Sequence, residues 1–164
     1  MGARPCDDDN AGMRTTAKAD YAVRAAVELA AAGAGDPVKA EQISEAQSIP
    51  LNFLENILAE LRRGGIVESR RGAAGGYLLA RPAEEITVAD VIRAVEGPLA
   101  NVRGVSPDLL EYQGSAERLR DVWVALRANV RGVLEQVTLA DIAKGELPPF
   151  IAELTQAPDA WLRR

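Results

Sequence analysis

The chain has 164 residues, 48% hydrophobic and 26% charged, enough apolar material for one substantial core or for a small domain with an oligomerisation element. It holds no histidine and one cysteine, Cys6, which excludes an intramolecular disulfide and a cysteine metal cluster within one chain. Its net charge of −5 is unevenly spread, with −2 over residues 1–12, +1 over 13–82 and −4 over 83–164, so any nucleic-acid role must rest on a few placed arginines rather than a broad positive field.

Residues 1–12, MGARPCDDDNAG, offer little to bury and are expected to form a disordered leader or an extension ahead of a functional start at Met13. They lack the basic and then apolar run of a signal peptide, and no stretch approaches the ~20 apolar residues of a membrane span, so a cytoplasmic location is expected. From Thr15, Tyr21, Ala22, Ala25, Ala26, Leu29 and Ala30 share one face of a first helix that Gly33 and Gly35 stop. Val38 to Ala46 reads as a second, short helix carrying Ile43. After a break at Gln47 to Pro50, Leu54, Ile57, Leu58 and Leu61 recur at i, i+3, i+4 and i+7 up to Gly64 and Gly65. That third helix is the candidate reader of bases.

The stretch from Ile66 to Pro82, IVESRRGAAGGYLLARP, sets two apolar runs around a turn of Arg, Ala and Gly, the pattern of a β-hairpin with a basic tip. Gly72, Gly75 and Gly76 are expected to supply positive backbone dihedrals, and Arg70 and Arg71 the charge. A hairpin after two short helices predicts a winged helix-turn-helix, with one helix for the major groove and a wing for the minor groove. Thr87-Val88-Ala89-Asp90 has the form of a capping box opening the helix VADVIRAVEG. Residues 98–115 lose periodicity and read as a long loop. Leu119, Val122, Trp123, Leu126, Val130, Val133, Leu134 and Val137 then follow helical spacing over about five turns. This stripe exceeds what one small winged domain can cover and is expected to be a homodimer interface. Thr138 to Asp141 starts a further short helix ending at Gly145, and the tail 148–164 is expected to dock loosely. The fold class expected is mainly α with a small β-hairpin: a winged helix-turn-helix over 13–97, the loop, a dimerisation unit over 116–147 and the tail.

The segments MRTTAKADYAVRA, IPLNFLENILAELRRGGIVESRRGAAGGYLLARP and ITVADVIRAVEGPL together resemble the Rrf-two (Rrf2) family of bacterial winged-helix transcriptional regulators. The resemblance covers most of residues 13 to 145. It implies a homodimer whose long C-terminal helices cross, with two wings and two third helices on a palindromic operator. Members of the family that bind an iron-sulfur cluster carry three cysteines in the loop before the long helix. Here that loop, LANVRGVSPDLLEYQGSAERL, has neither thiol nor imidazole, and Asp108, Glu111 and Glu117 are hard oxygen donors ill suited to such iron. No metal or other cofactor is therefore expected.

Arg71 is the strongest candidate for DNA contact, a guanidinium drawn into a narrow minor groove; the alternative is a solvated hairpin arginine. Arg70 is open to either reading. Pro50, Leu51, Asn52, Phe53 and Asn56 occupy the N-terminal turns of the third helix. Asn52 and Asn56 can each read an adenine edge, and Glu55 can accept from a cytosine amine. Equally, Asn52 can cap the helix and Glu55 can pair with Arg62 or Arg63. By resemblance, Arg14, Thr16, Lys18 and Tyr21 match first-helix positions that touch phosphates, and Glu55 matches one that discriminates among sites. Arg62 and Arg63 are further phosphate candidates, with solvated charge as the alternative. Trp123 anchors the interface or lines an effector pocket.

The function expected is a cytoplasmic, DNA-binding repressor acting as a homodimer, with a metabolite or partner protein as effector and sulfur or cysteine metabolism as its field. Two rivals are a protein-interaction module that keeps the winged fold, and a thiol regulator through Cys6, whose neighbours Asp7, Asp8 and Asp9 disfavour the thiolate. An enzyme is not expected, since no histidine, nucleophile-base pair or phosphate-cradling loop is present.

Overall fold

A computed structural model describes residues 15–163. The expected leader, Cys6 and Arg14 lie outside those residues. Seven helices and one hairpin follow in order: α1 Ala17–Ala32, α2 Ala40–Gln47, α3 Leu51–Arg63, β1 Val67–Arg70, β2 Gly76–Leu79, α4 Val88–Glu96, α5 Leu119–Leu134, α6 Leu139–Lys144 and α7 Pro149–Thr155, with 3-10 turns at Ala83–Glu85, Pro107–Leu109 and Gly114–Ala116. Among the described residues no helix is long and apolar enough to cross a membrane.

The core is built where short, closely packing side chains allow it. Ala22, Ala25, Ala26 and Leu29 form a flat stripe on α1, against which Ile43 of α2, Leu54, Leu58 and Leu61 of α3, and Val91 and Val95 of α4 are packed. Small residues let these axes approach closely. Leu139 of α6 joins the same cluster, so packing splits the expected unit over 116–147: α6 returns to α1, while α5 projects from the core and buries none of its own residues.

The expected capping box at Thr87 forms, and a second opens α6 at Thr138. Thr87 N donates to Asp90 Oδ2 at 3.0 Å and Asp90 N to Thr87 Oγ1 at 3.1 Å; Thr138 and Asp141 repeat this at 2.8 and 3.1 Å. Four otherwise unpaired helix-terminal donors are thereby satisfied. The two boxes also meet each other. Thr87 and Thr138 form an isolated antiparallel bridge, in which Val88 N donates to Val137 O and Leu139 N to Ile86 O, each at 2.9 Å.

Three expectations need correction here. The second helix starts at Ala40, and Val38 instead bridges to Tyr77, with both N–H···O bonds at 2.8 Å, as a third partner for the hairpin. Helix α5 stops at Leu134, and Val137 is only 6% exposed. Val137 is therefore buried within the protomer, its carbonyl accepting from Val88 N, rather than part of an outer stripe. The third concerns Gly75, whose φ is not in the positive range, unlike those of Gly72 and Gly76. Its need is for space, since a Cβ there would overlap the Arg70 carbonyl oxygen and lie 2.8 Å from the Arg71 carbonyl carbon.

Candidate nucleic-acid interface

Helices α2 and α3 are joined by a turn that the first helix holds in place. Ser48 takes the left-handed conformation that ends α2, and Ile49 is buried beneath the turn. Ser44 Oγ donates to Ile49 O at 2.6 Å, and Ile49 N donates to Ser44 O at 3.0 Å. From α1, Arg24 Nη1 donates to Gln47 O at 2.8 Å while its Nη2 pairs with Asp20 Oδ2 at 2.7 Å, and its guanidinium carbon lies 4.8 Å from the centre of the Tyr21 ring. Gln47 also hydrogen-bonds Glu28. Arg24 is thus a positioning residue that sequence reasoning missed. Its signal was no more than a polar side chain beside the apolar stripe of α1, and its partner is a backbone carbonyl 23 residues away.

Pro50 is the N-cap of α3, so its missing N–H costs the helix nothing and Asn52 does not cap it. Leu54, Ile57, Leu58 and Leu61 face the core. Asn52, Phe53, Glu55 and Asn56 are exposed, as are Arg62 and Arg63, and Leu51 is half-buried. Among the described residues Glu55 has no ion pair with Arg62 or Arg63. Arg62 Nη1 instead donates to Ser69 Oγ of β1 at 3.2 Å, which ties the end of α3 to the hairpin.

The hairpin pairs Val67 with Leu79, Glu68 with Leu78, Ser69 with Tyr77 and Arg70 with Gly76. Its loop is compact because Gly75 N donates to Gly72 O at 3.0 Å, and because Gly76 lets the Val38 backbone come closer than any Cβ would allow. The two arginines then part company. Arg70 Nη1 donates to Gly35 O at 3.3 Å, binding the wing to the loop between α1 and α2. Arg71 is exposed at the tip, with no hydrogen-bond or ion-pair partner among the described residues.

The first-helix candidates are engaged within the chain. Thr16 caps α1, its Oγ1 accepting from Ala19 N at 3.0 Å, and its hydroxyl donates to Glu96 at the end of α4. Lys18 Nζ pairs with Glu60 Oε2 of α3 at 2.7 Å. Burial raises the Glu96 carboxyl above its ordinary value, with the Lys18 charge opposing. Tyr21 is half-buried beneath Arg24. Together these contacts lock α1 onto α3 and α4. The cations left without an internal partner among the described residues of the α3 and wing surface are Arg63 and Arg71.

The loop from 98 to 115 packs against α5 through its turn at Pro107–Leu109. Among the described residues, no group of three or more His, Cys, Asp or Glu is placed to hold a metal. The Asp108 carboxylate is already taken by Ser106 and by Arg127 Nη1 of α5 at 2.8 Å. Trp123 Nε1 donates to Tyr112 Oη at 3.0 Å, a second pin between α5 and the loop. Hard oxygens held by a guanidinium do not fit a soft iron-sulfur group.

On the seven-residue stripe of α5, Leu119, Trp123, Leu126, Val130, Val133 and Leu134 are half-buried and Val122 is 56% exposed in the single protomer.

A family model described as Rrf2, iron-dependent transcriptional regulator, matches residues 15–145. The chain is 53% identical over 142 residues to a provisionally named HTH-type transcriptional regulator of Mycobacterium tuberculosis, Rv1287, covering 87% of this chain and 88% of the relative. Among solved structures it resembles CymR, the global cysteine regulator of Bacillus subtilis, with a TM-score of 0.69 and 32% identity over 81% of this chain and 98% of that one. The T. potens IscR structure gives 0.67 and 32% over 93% and 94%. These relatives are regulators of transcription rather than enzymes.

Proposed function

Since the chain belongs to the Rrf2 family of transcriptional regulators, we propose that it is a sequence-specific repressor that grips a palindromic operator as a homodimer, without an iron-sulfur cluster. The observation that carries this reading is the pairing of an exposed polar face on α3 with a wing tip whose Arg71 has no internal partner, both on a framework fixed by Arg24, Arg62 and Arg70. In that arrangement the N-terminal turns of α3 enter the major groove, where Asn52 and Asn56 read adenine edges and Glu55 a cytosine amine. Arg71 enters the adjacent minor groove, and Arg63 sits on phosphate. Lys18, Tyr21, Thr16, Arg62 and Arg70 act first as positioning residues, and any phosphate contact they make is shared with their internal partners.

The stripe of α5 supplies the dimer contact, with Val122 and Leu126 at its middle. Two copies then present two α3 helices about one helical turn of DNA apart, roughly 34 Å, which demands a palindrome. Repression follows because the dimer covers promoter DNA. An effector would shift the angle between the two halves through α5. The likeness to a global cysteine regulator supports cysteine or sulfur metabolism as its field.

The test is selection of bound fragments from a sheared genomic library by the purified protein, with Arg71→Ala in parallel. The wild type should recover a palindromic site, and Arg71→Ala should bind it about 1 to 3 kcal/mol more weakly. Equal affinity would remove the wing from the mechanism, and recovery of nothing at low salt would favour the protein-interaction reading.

A further inference from the structure

Phe53 is 58% exposed. All the other strongly exposed large apolar side chains among the described residues lie at Val105 or beyond, outside the helices and hairpin of residues 17–97. That core buries or half-buries every large apolar group except this one. The exposure is not forced by crowding, because Leu54, Ile57, Leu58 and Leu61 form a complete core-facing stripe and Phe53 lies off it. It occupies the first turn of α3, where Asn52, Asn56 and Phe53 fall within an arc of about 100° around the helix.

We propose that Phe53 is a specificity-determining residue that packs on the 5-methyl group of a thymine next to an adenine read by the neighbouring asparagines. The inference deepens the operator-binding reading and rests on it. A phenyl ring has no donor or acceptor, so it can neither hold a phosphate nor read a base edge by hydrogen bonding. The apolar group that the major groove presents is the thymine methyl. A ring beside two amides therefore recognises A·T pairs twice over, by the adenine edge through Asn and by the methyl through Phe. The same surface could seat another protein, and the test below separates that occupant from DNA.

The experiment is a titration of the selected operator in which each thymine of one half-site is replaced in turn by deoxyuridine, which removes only the methyl. The wild type should lose about threefold to tenfold in affinity at one or two positions and be indifferent elsewhere. Phe53→Ala should bind the parent site more weakly by a similar factor and show no further loss with deoxyuridine at those positions, while Phe53→Leu should keep part of the discrimination. Because the ring is mostly exposed, Phe53→Ala should melt within a few degrees of the wild type, so a binding change is not a folding change. Indifference of the wild type to every replacement, or an equal loss in Phe53→Ala, would overturn the proposal while leaving operator binding intact. A wild type that holds no duplex would overturn the operator reading and this inference with it.

Discussion

Gly75 shows how a single position can fail for want of space rather than of conformational freedom. A methyl group there would overlap the Arg70 carbonyl oxygen and crowd the Arg71 carbonyl carbon and the Gly72 oxygen, all of them backbone atoms that cannot swing away. Gly75→Ala should therefore leave the helical core's thermal transition nearly unchanged and weaken operator binding by about 1 to 3 kcal/mol, because the tip that carries Arg71 must re-form. Unchanged affinity in a direct titration would show that the tip's shape does not matter. The contrast between Arg70 and Arg71 belongs to the same scale. They are neighbours in sequence with the same side chain, and both are exposed, yet one is spent on the Gly35 carbonyl and the other has no internal partner among the described residues. Sequence could place both at the hairpin tip. It could not separate them, because register decides which residue is the last in the ladder, and register is set by the partner strand.

Helix α5 and the loop before it form an element held together by polar pins. Ser106's hydroxyl and the backbone bond to Asp108, with a lesser contribution from the Arg127 guanidinium, hold the Asp108 carboxyl below its ordinary value of 3.8 against the opposing effect of desolvation. A carboxyl whose pKa is lowered on folding contributes stability above its unfolded pKa and loses it as pH falls through the lowered value. The chain has two tryptophans, so a Trp161→Phe background leaves Trp123, which donates to Tyr112 of the loop, as the reporter. Its emission should hold steady from neutrality down to the ordinary carboxylate range and shift to the red only below it. Arg127→Met should shift it at neutral pH, and an unmoved spectrum would mean that other contacts dock the loop. The helix was legible from its three-and-four spacing, whereas the pins were not. Arg127 and Asp108 lie 19 residues apart across a stretch with no periodicity to align them.

At the scale of the whole molecule, the correction at Val137 separates two kinds of apolar residue that a helical wheel merges. Leu126→Asp should dissociate the dimer in sedimentation velocity while the protomer keeps its helical content. Val137→Ala should leave the dimer assembled and lower protomer stability by about 1 to 3 kcal/mol in chemical denaturation, since its side chain is buried within the protomer, next in the chain to the bridge between Thr87 and Thr138. If both variants changed only the association state, the bridge would not be part of the core. The bridge also links the end of α5 to the residues that open α4. Arg93 of α4 pairs with Glu135 just past α5, and the bridge holds the next residues beside Ile86 and Val88, so the start and the body of α4 are both joined to the end of α5.

Sequence by itself determined what depends on near neighbours in the chain. The apolar periods of α1, α3 and α5, the two Thr-x-x-Asp boxes and the glycine-bounded hairpin are all governed by contacts a few residues apart, whose geometry the backbone repeats wherever the pattern occurs. Family membership was readable for the same reason, since the third helix and the wing carry their signature as contiguous motifs. Only the tertiary structure decided the pairing of Val38 with Tyr77 and of Thr87 with Thr138, the anchoring of the turn by Arg24, and which wing arginine is tied to the Gly35 carbonyl. Each of these joins distant segments, and a backbone carbonyl becomes a partner for a distant donor only after helix packing has brought it there.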